Sequence, residues 1–179
     1  AQAEHVSDFL ADMMRSADPD RAKGNQVLVR DVLDKATRNI DQGALKDQPL
    51  VEAGIRLAMA GAYDSLGNYA ESEAHARKAV EIRERILGPN NRETARALSQ
   101  LSLAVAQLRD PDAAEAMQRR ALAIFERTVG TRHREYVIAL SRLGTLLRNH
   151  RTPEGLRDRE QTLRRAVELR PVGEDAAGV

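Results

Sequence analysis

The 179-residue chain has no cysteine and no tryptophan, and only 3% of its residues are aromatic. Without thiols there is no disulfide, no thiolate nucleophile and no cysteine metal site, and the redox compartment stays open. With so few rings, a core has to be built from Ala, Leu, Val, Ile and Met, and small side chains suit helices that lie close together. No run of about 18 apolar residues occurs, so no segment reads as a membrane-spanning helix. Charge of one sign is missing as well. A net charge of +1 with 31% charged residues describes an ordinary surface with no global bias toward nucleic acid or lipid.

Catalytic patterns are equally scarce. Gly54 and Gly61 lie seven apart without the Lys-Ser/Thr that closes a phosphate loop. His5, His75, His133 and His150 have no partner at metal-ligand spacing and read as surface residues. Neither His-Arg-Asp nor Asp-Phe-Gly occurs. The residues therefore point to no enzyme, no catalytic residue, no metal and no cofactor. The chain also lacks an initiator Met and opens inside an apparent helix, which predicts a piece cut from a longer protein.

What is present is helical periodicity. Val6, Phe9, Leu10, Met13 and Met14 form one apolar stripe, which caps the first hairpin or mediates self-association, and Asp18-Pro19-Asp20 ends it. Residues 1–24 are thus a helix and connector. Residues 25–48 are a capping half-repeat, with Val29, Val32, Leu33, Ala36 and Ile40 on one helix face and a close at Gln42-Gly43. Asp47 is the expected N-cap of the next helix, with Pro49 in its first turn.

From there the sequence repeats. Ala53, Ala95 and Val137 are 42 positions apart, as are Met59, Leu101 and Leu143, and Tyr63, Val105 and Leu147. Ala79 with Ala121, Ile82 with Ile124, and Gly88 with Gly130 keep the same step. A period of this size means stacked hairpins, each unable to bury its own apolar face. Three hairpins follow, at 49–89, 90–131 and 132–170, with Asp110-Pro111 and Thr152-Pro153 opening second helices. Ala166 falls 87 residues after Ala79, three more than two periods, which predicts a longer, more mobile loop from His150 to Asp158. Pro171 ends the last helix, and 171–179 reads as a disordered tail. The fold class is all-α, a stack of antiparallel helix pairs, right-handed and superhelical by its resemblance to known helical-hairpin repeats.

Met59-Ala60-Gly61-Ala62-Tyr63-Asp64-Ser65-Leu66-Gly67-Asn68-Tyr69 followed by Ala79 resembles a tetratricopeptide repeat. The connectors Leu87-Gly88-Pro89-Asn90-Asn91-Arg92-Glu93 and Val129-Gly130-Thr131-Arg132-His133-Arg134-Glu135 are similar to the longer kinesin-light-chain-like repeats. Val6 to Leu10, Ser16 to Pro19 and Val29 to Lys35 resemble the segment that precedes such repeats in bacterial serine/threonine protein kinases. The resemblance implies a non-catalytic scaffold that binds a protein or peptide, the docking or sensor arm of a kinase-like regulator, and a soluble domain held outside the cytoplasmic membrane or in the cytoplasm.

In that repeat class the first helix of each hairpin lines the concave face. Transferred here, the face comprises Gly54, Leu57, Gly61, Asp64 and Ser65, then Arg96, Ser99, Leu103 and Gln107, then Ile138, Ser141, Thr145, Arg148 and Asn149. Paired asparagines of the kinesin-light-chain type are replaced by Ser99-Gln100 and Ser141-Arg142. Two helical glycines on one face suggest a group that approaches the backbone closely, a partner peptide or the chain's own N-terminal helix. An alternative partner follows from charge asymmetry. Residues 90–179 carry 16 Arg, no Lys and 12 acids, a balance of +4 that would suit nucleic acid or another anion.

Overall fold

A computed structural model describes residues 29–108, 110–149 and 152–169. Every regular element among them is helical: α1 (Val29–Asp41), α2 (Pro49–Ser65), α3 (Tyr69–Leu87), α4 (Arg92–Gln107), α5 (Pro111–Thr128), α6 (Arg134–Leu146) and α7 (Pro153–Glu168), with a single 3₁₀ turn, Leu147–Asn149, after α6. The chain divides into two units, one through Ile82 and one from Arg83.

The helix ends follow from local chemistry. Gly43, Gly67, Gly88 and Gly130 all have positive φ, and the last two show what that conformation does. In each, the glycine carbonyl accepts from the N-cap three residues on, Asn91 at 3.4 Å and His133 at 3.3 Å. Each N-cap side chain then accepts from the backbone N–H two residues further, Asn91 Oδ1 from Glu93 at 2.8 Å and His133 Nδ1 from Glu135 at 3.2 Å. Asp110 and Thr152 cap α5 and α7 through Ala113 and Gly155, with proline next in line. At α2 the expected cap moves: Gln48, not Asp47, is the N-cap, and no side chain caps it. Pro49 at the first helical position lowers the need, because it has no N–H to satisfy.

In the first unit Leu33, Ala36, Ile40 and Leu45 pack with Met59 and Tyr63 of α2. Tyr63 stacks on His75 of α3, ring centroids 5.4 Å apart. This overturns the surface reading of His75, which is 4% exposed. Sequence alone misreads it because the surrounding Ser72, Ala76 and Ala79 carry no bulk, so the ring fills the gap between helices. His133 is half-buried through its capping role, and His5 and His150 lie outside the described residues.

In the second unit the hairpins interlock. Gln118, fully buried on α5, accepts from Ser102 Oγ of α4 at 2.7 Å and donates to the Ala139 carbonyl of α6 at 2.8 Å. Gly144 of α6 lies so close to Leu163 of α7 that a Cβ there would stand 2.3 Å from the leucine Cδ2. Residues spaced by 42 share their burial in several cases: Ala53 with Ala95, Met59 with Leu101 and Leu143, and Tyr63 with Val105 and Leu147 are all below 6% exposed. The stretch expected to be loop as far as Asp158 is helix from Pro153. The interval from the opening proline to a buried alanine is 10 residues in α5 (Pro111 to Ala121) and 13 in α7 (Pro153 to Ala166). Three residues rotate a helix by about 300°, nearly a full turn, so both alanines can face inward.

Candidate binding face

Each unit presents its first-helix face separately. In the first, Gly54, Leu57, Gly61 and Asp64 are half-buried and Ser65 is exposed. No atom of the described residues, other than those the helix itself supplies, comes within 4 Å of where a Cβ on Gly54 or Gly61 would sit. The glycines thus leave bare backbone, and Ser65 Oγ turns back to the Gly61 carbonyl at 3.0 Å. Both termini of the chain, including the apolar stripe Val6 to Met14 and the tail 171–179, lie outside the described residues.

In the second unit the predicted residues separate into two groups. Ile138, Ser141, Thr145 and Arg148 of α6 and its following turn are exposed, as is Gln107, while Leu103 is half-buried. The Ser141 and Thr145 hydroxyls donate to the helix carbonyls four residues back, so their outward surfaces are largely methyl and methylene. Asn149 sits in the 3₁₀ turn. Ser99 departs from expectation. It is 3% exposed, because the Arg142 guanidinium crosses from α6 and donates to its hydroxyl at 2.9 Å. Arg96 is engaged too, with Glu93 at 3.2 Å and Glu135 at 3.3 Å, and Arg92 donates to Glu135 at 2.6 Å.

Sequence reasoning missed Arg142, Arg92 and Glu135. Arg142 and Ser99, and Arg92 and Glu135, stand 43 residues apart, and that shared separation was the available signal. The arginine-rich half is also largely spoken for: Arg119 pairs with Glu115 and Asp158, Arg120 with Glu84, and Arg164 with Glu160. Interleaved carboxylates leave no continuous basic track among these side chains.

A second polar cluster lies beneath the first-unit face. Tyr63 donates to Asp34 at 2.7 Å, and Thr37 Oγ1 lies 3.0 Å from His75 Nε2. Burial pushes the Tyr63 hydroxyl up to about 12, helped by Asp34. Burial, then the Arg56 charge, brings His75 down to about 4. Arg56, itself buried, binds Glu52 and Asp41 at 2.7 Å each. Burial alone would raise the Asp41 carboxyl, but the bonds from Arg56 and Lys78 outweigh it and hold it below the ordinary carboxylate value. These groups join helices and stand away from the exposed face. Among the described residues no cluster of three or more His, Asp or Glu could hold a metal ion, and no helix is long and apolar enough to cross a membrane.

The tetratricopeptide repeat family model matches residues 52–127, the span of α2 to α5. No curated protein matches the sequence. The crystal structure of BtubC (BKLC) from P. vanneervenii is similar over 99% of this chain and 79% of that one, with a TM-score of 0.63 at 18% identity, a likeness that shows the fold. Repeats of this family generally mediate protein–protein interaction. The chain is an all-α helical-repeat protein that contains a tetratricopeptide repeat region.

Proposed function

We propose that the first-helix face binds an extended segment of a partner protein, as the docking or sensor region of a larger regulator of the bacterial serine/threonine kinase type, built on 42-residue repeats of the kinesin-light-chain kind. The observation that carries this reading is the contrast within α6. Glu135 and Arg142 are used up in holding α4, while Ile138, Ser141 and Thr145, one helix face further round, and Arg148 in the turn that follows are exposed. An exposed row of methyl, methylene and one isoleucine flanked by an arginine offers an apolar strip with a charged end. The bare backbone at Gly54 and Gly61 extends the same logic to α2. Such a face suits a peptide with small or apolar side chains and an acidic group.

The test compares the chain with an Ile138→Asp, Thr145→Glu variant in affinity capture, followed by titration of each purified protein that the variant fails to retain. Binding weakened at least tenfold by the substitutions, with the helical spectrum unchanged, is the expected outcome. Equal binding by both forms refutes the placement of the face. In the parent protein, kinase activity indifferent to removal of this region refutes the regulatory role.

A further inference from the structure

The helix α2 is apolar on nearly every side: its charged residues are Glu52, Arg56 and Asp64, and the first two pair with each other while Arg56 is buried. A helix apolar all round is covered on all sides in a folded protein. Among the described residues one flank of α2 is covered only in part: Val51, Ile55 and Ala62 pack against the α1 core yet stay half-buried, Leu50 is 41% exposed and Ala58 is exposed.

The second unit shows what such a flank does. On α6, Glu135 and Arg142 reach the preceding first helix, α4, at Arg92, Arg96 and Ser99. In the register proposed above, on which this step rests, the positions 84 earlier are Val51 and Ala58. The preceding first helix for α2 therefore has to meet it with apolar side chains where α4 meets α6 with ions. The chain supplies one such stripe before α1: Val6, Phe9, Leu10, Met13 and Met14. Its distance also fits. Residues 16–28 give 13 positions of connector, enough for about 40 Å if extended, against about 20 Å for the length of α1.

We infer that residues 4–15 dock as a helix along the Val51–Ala58 flank of α2, completing with α1 a first hairpin. The occupant is this chain's own N-terminal segment, leaving the Gly54–Gly61 side open.

The absence of cysteine permits a direct test in the full chain. Phe9→Cys, Leu10→Cys and Met13→Cys are each combined with Ala58→Cys, and as controls with Lys78→Cys on the exposed side of α3. A disulfide forms readily only where the Cβ atoms approach to about 3.5–4.5 Å. Under dilute oxidising conditions at least one Ala58 pair closes within a single chain, far faster than any control. Cross-links that form only between chains show a second copy on the flank and overturn the inference, as does closure at the control rate throughout. A second readout is hydrogen exchange in Phe9→Asp, Met13→Asp. Amides of residues 50–62 exchange faster, while those of α6 stay as in the native chain and report that the fold is intact. Unchanged exchange at 50–62 also overturns it. Either failure leaves partner binding by Ile138 and Thr145 untouched, so the two readings fall separately.

Discussion

Gln118 is the side chain on which the spacing of α4 and α6 depends, and its removal is the most informative perturbation. The amide is fully buried, with Oε1 2.7 Å from Ser102 Oγ and Nε2 2.8 Å from the Ala139 carbonyl. Replacement by Leu keeps the volume and deletes both bonds. Neither partner is wholly orphaned, because the Ser102 hydroxyl also reaches the Ser99 carbonyl at 2.9 Å and the Ala139 carbonyl remains within its helix. The cost is therefore the net worth of two hydrogen bonds and not a full desolvation penalty, about 1–2 kcal/mol. Gln118→Ala adds a cavity that the packed helices fill only in part, which raises the cost to about 3–5 kcal/mol. For a chain of this size the Leu variant melts about 2–8 °C lower. Urea unfolding of Gln118→Leu, Ser102→Ala and the double variant completes a cycle whose coupling is about 0.5–1.5 kcal/mol. Additivity within about 0.3 kcal/mol refutes the claim that this pair joins α4 to α5.

Three further perturbations probe packing and charge. Gly144→Ala places a methyl 2.3 Å from Leu163 Cδ2 and 2.7 Å from its Cγ, which costs about 1–3 kcal/mol of overpacking, and the penalty disappears in a Leu163→Ala background. Gly61→Ala meets no neighbour and gains helix propensity, so denaturation shows the variant more stable by about 0.5–1 kcal/mol; destabilisation instead would show that something already rests on that backbone. His75 takes up its proton near 6.5 when unfolded but only at about 4 when folded. Between those values the unfolded state binds more protons, so stability falls as pH drops through the window, by up to about 3 kcal/mol, and is unaffected above it. The stability difference between the native chain and His75→Phe, read from urea midpoints at pH 7 and 4.5, shrinks accordingly; a pH-independent difference refutes the burial of a neutral ring.

The helices themselves were legible because their signals are local. Proline at the first helical position of α2, α5 and α7, and glycine past the ends of α3 and α5, lie within one turn of the boundary they set. The same holds for the apolar period that places Leu33, Ala36 and Ile40 inward. Asp47 was misread because Gln48 has none of the short polar character that marks an N-cap, and only the backbone path shows where the helix starts. The loop expected before Asp158 was misread for a different reason. Counting from Ala166 alone left the extra residues anywhere before it, whereas the interval from Pro111 to Pro153, readable in the sequence, already put them after Pro153, where α7 begins.

The candidate face was legible only as a set of positions, because what decides their fate is pairing between helices. Three equivalent stations make the point: Ala60 with Ala76, Ser102 with Gln118, and Gly144 with Leu163. In the first both residues are small and fully buried, in the second a hydroxyl meets an amide, and in the third a missing side chain admits a leucine. The interior fixes the joint volume and the joint hydrogen bonding of each pair, not either residue alone. A periodicity that inspects one helix at a time therefore sees Ala, Ser and Gly as a loose small-residue signal and misses the partner that makes each choice necessary. Ser99 follows the same rule. Its neighbours mark an exposed row, but the arginine 43 residues later on α6 covers it, so the open part of the second-unit face shifts toward Ile138 and Thr145.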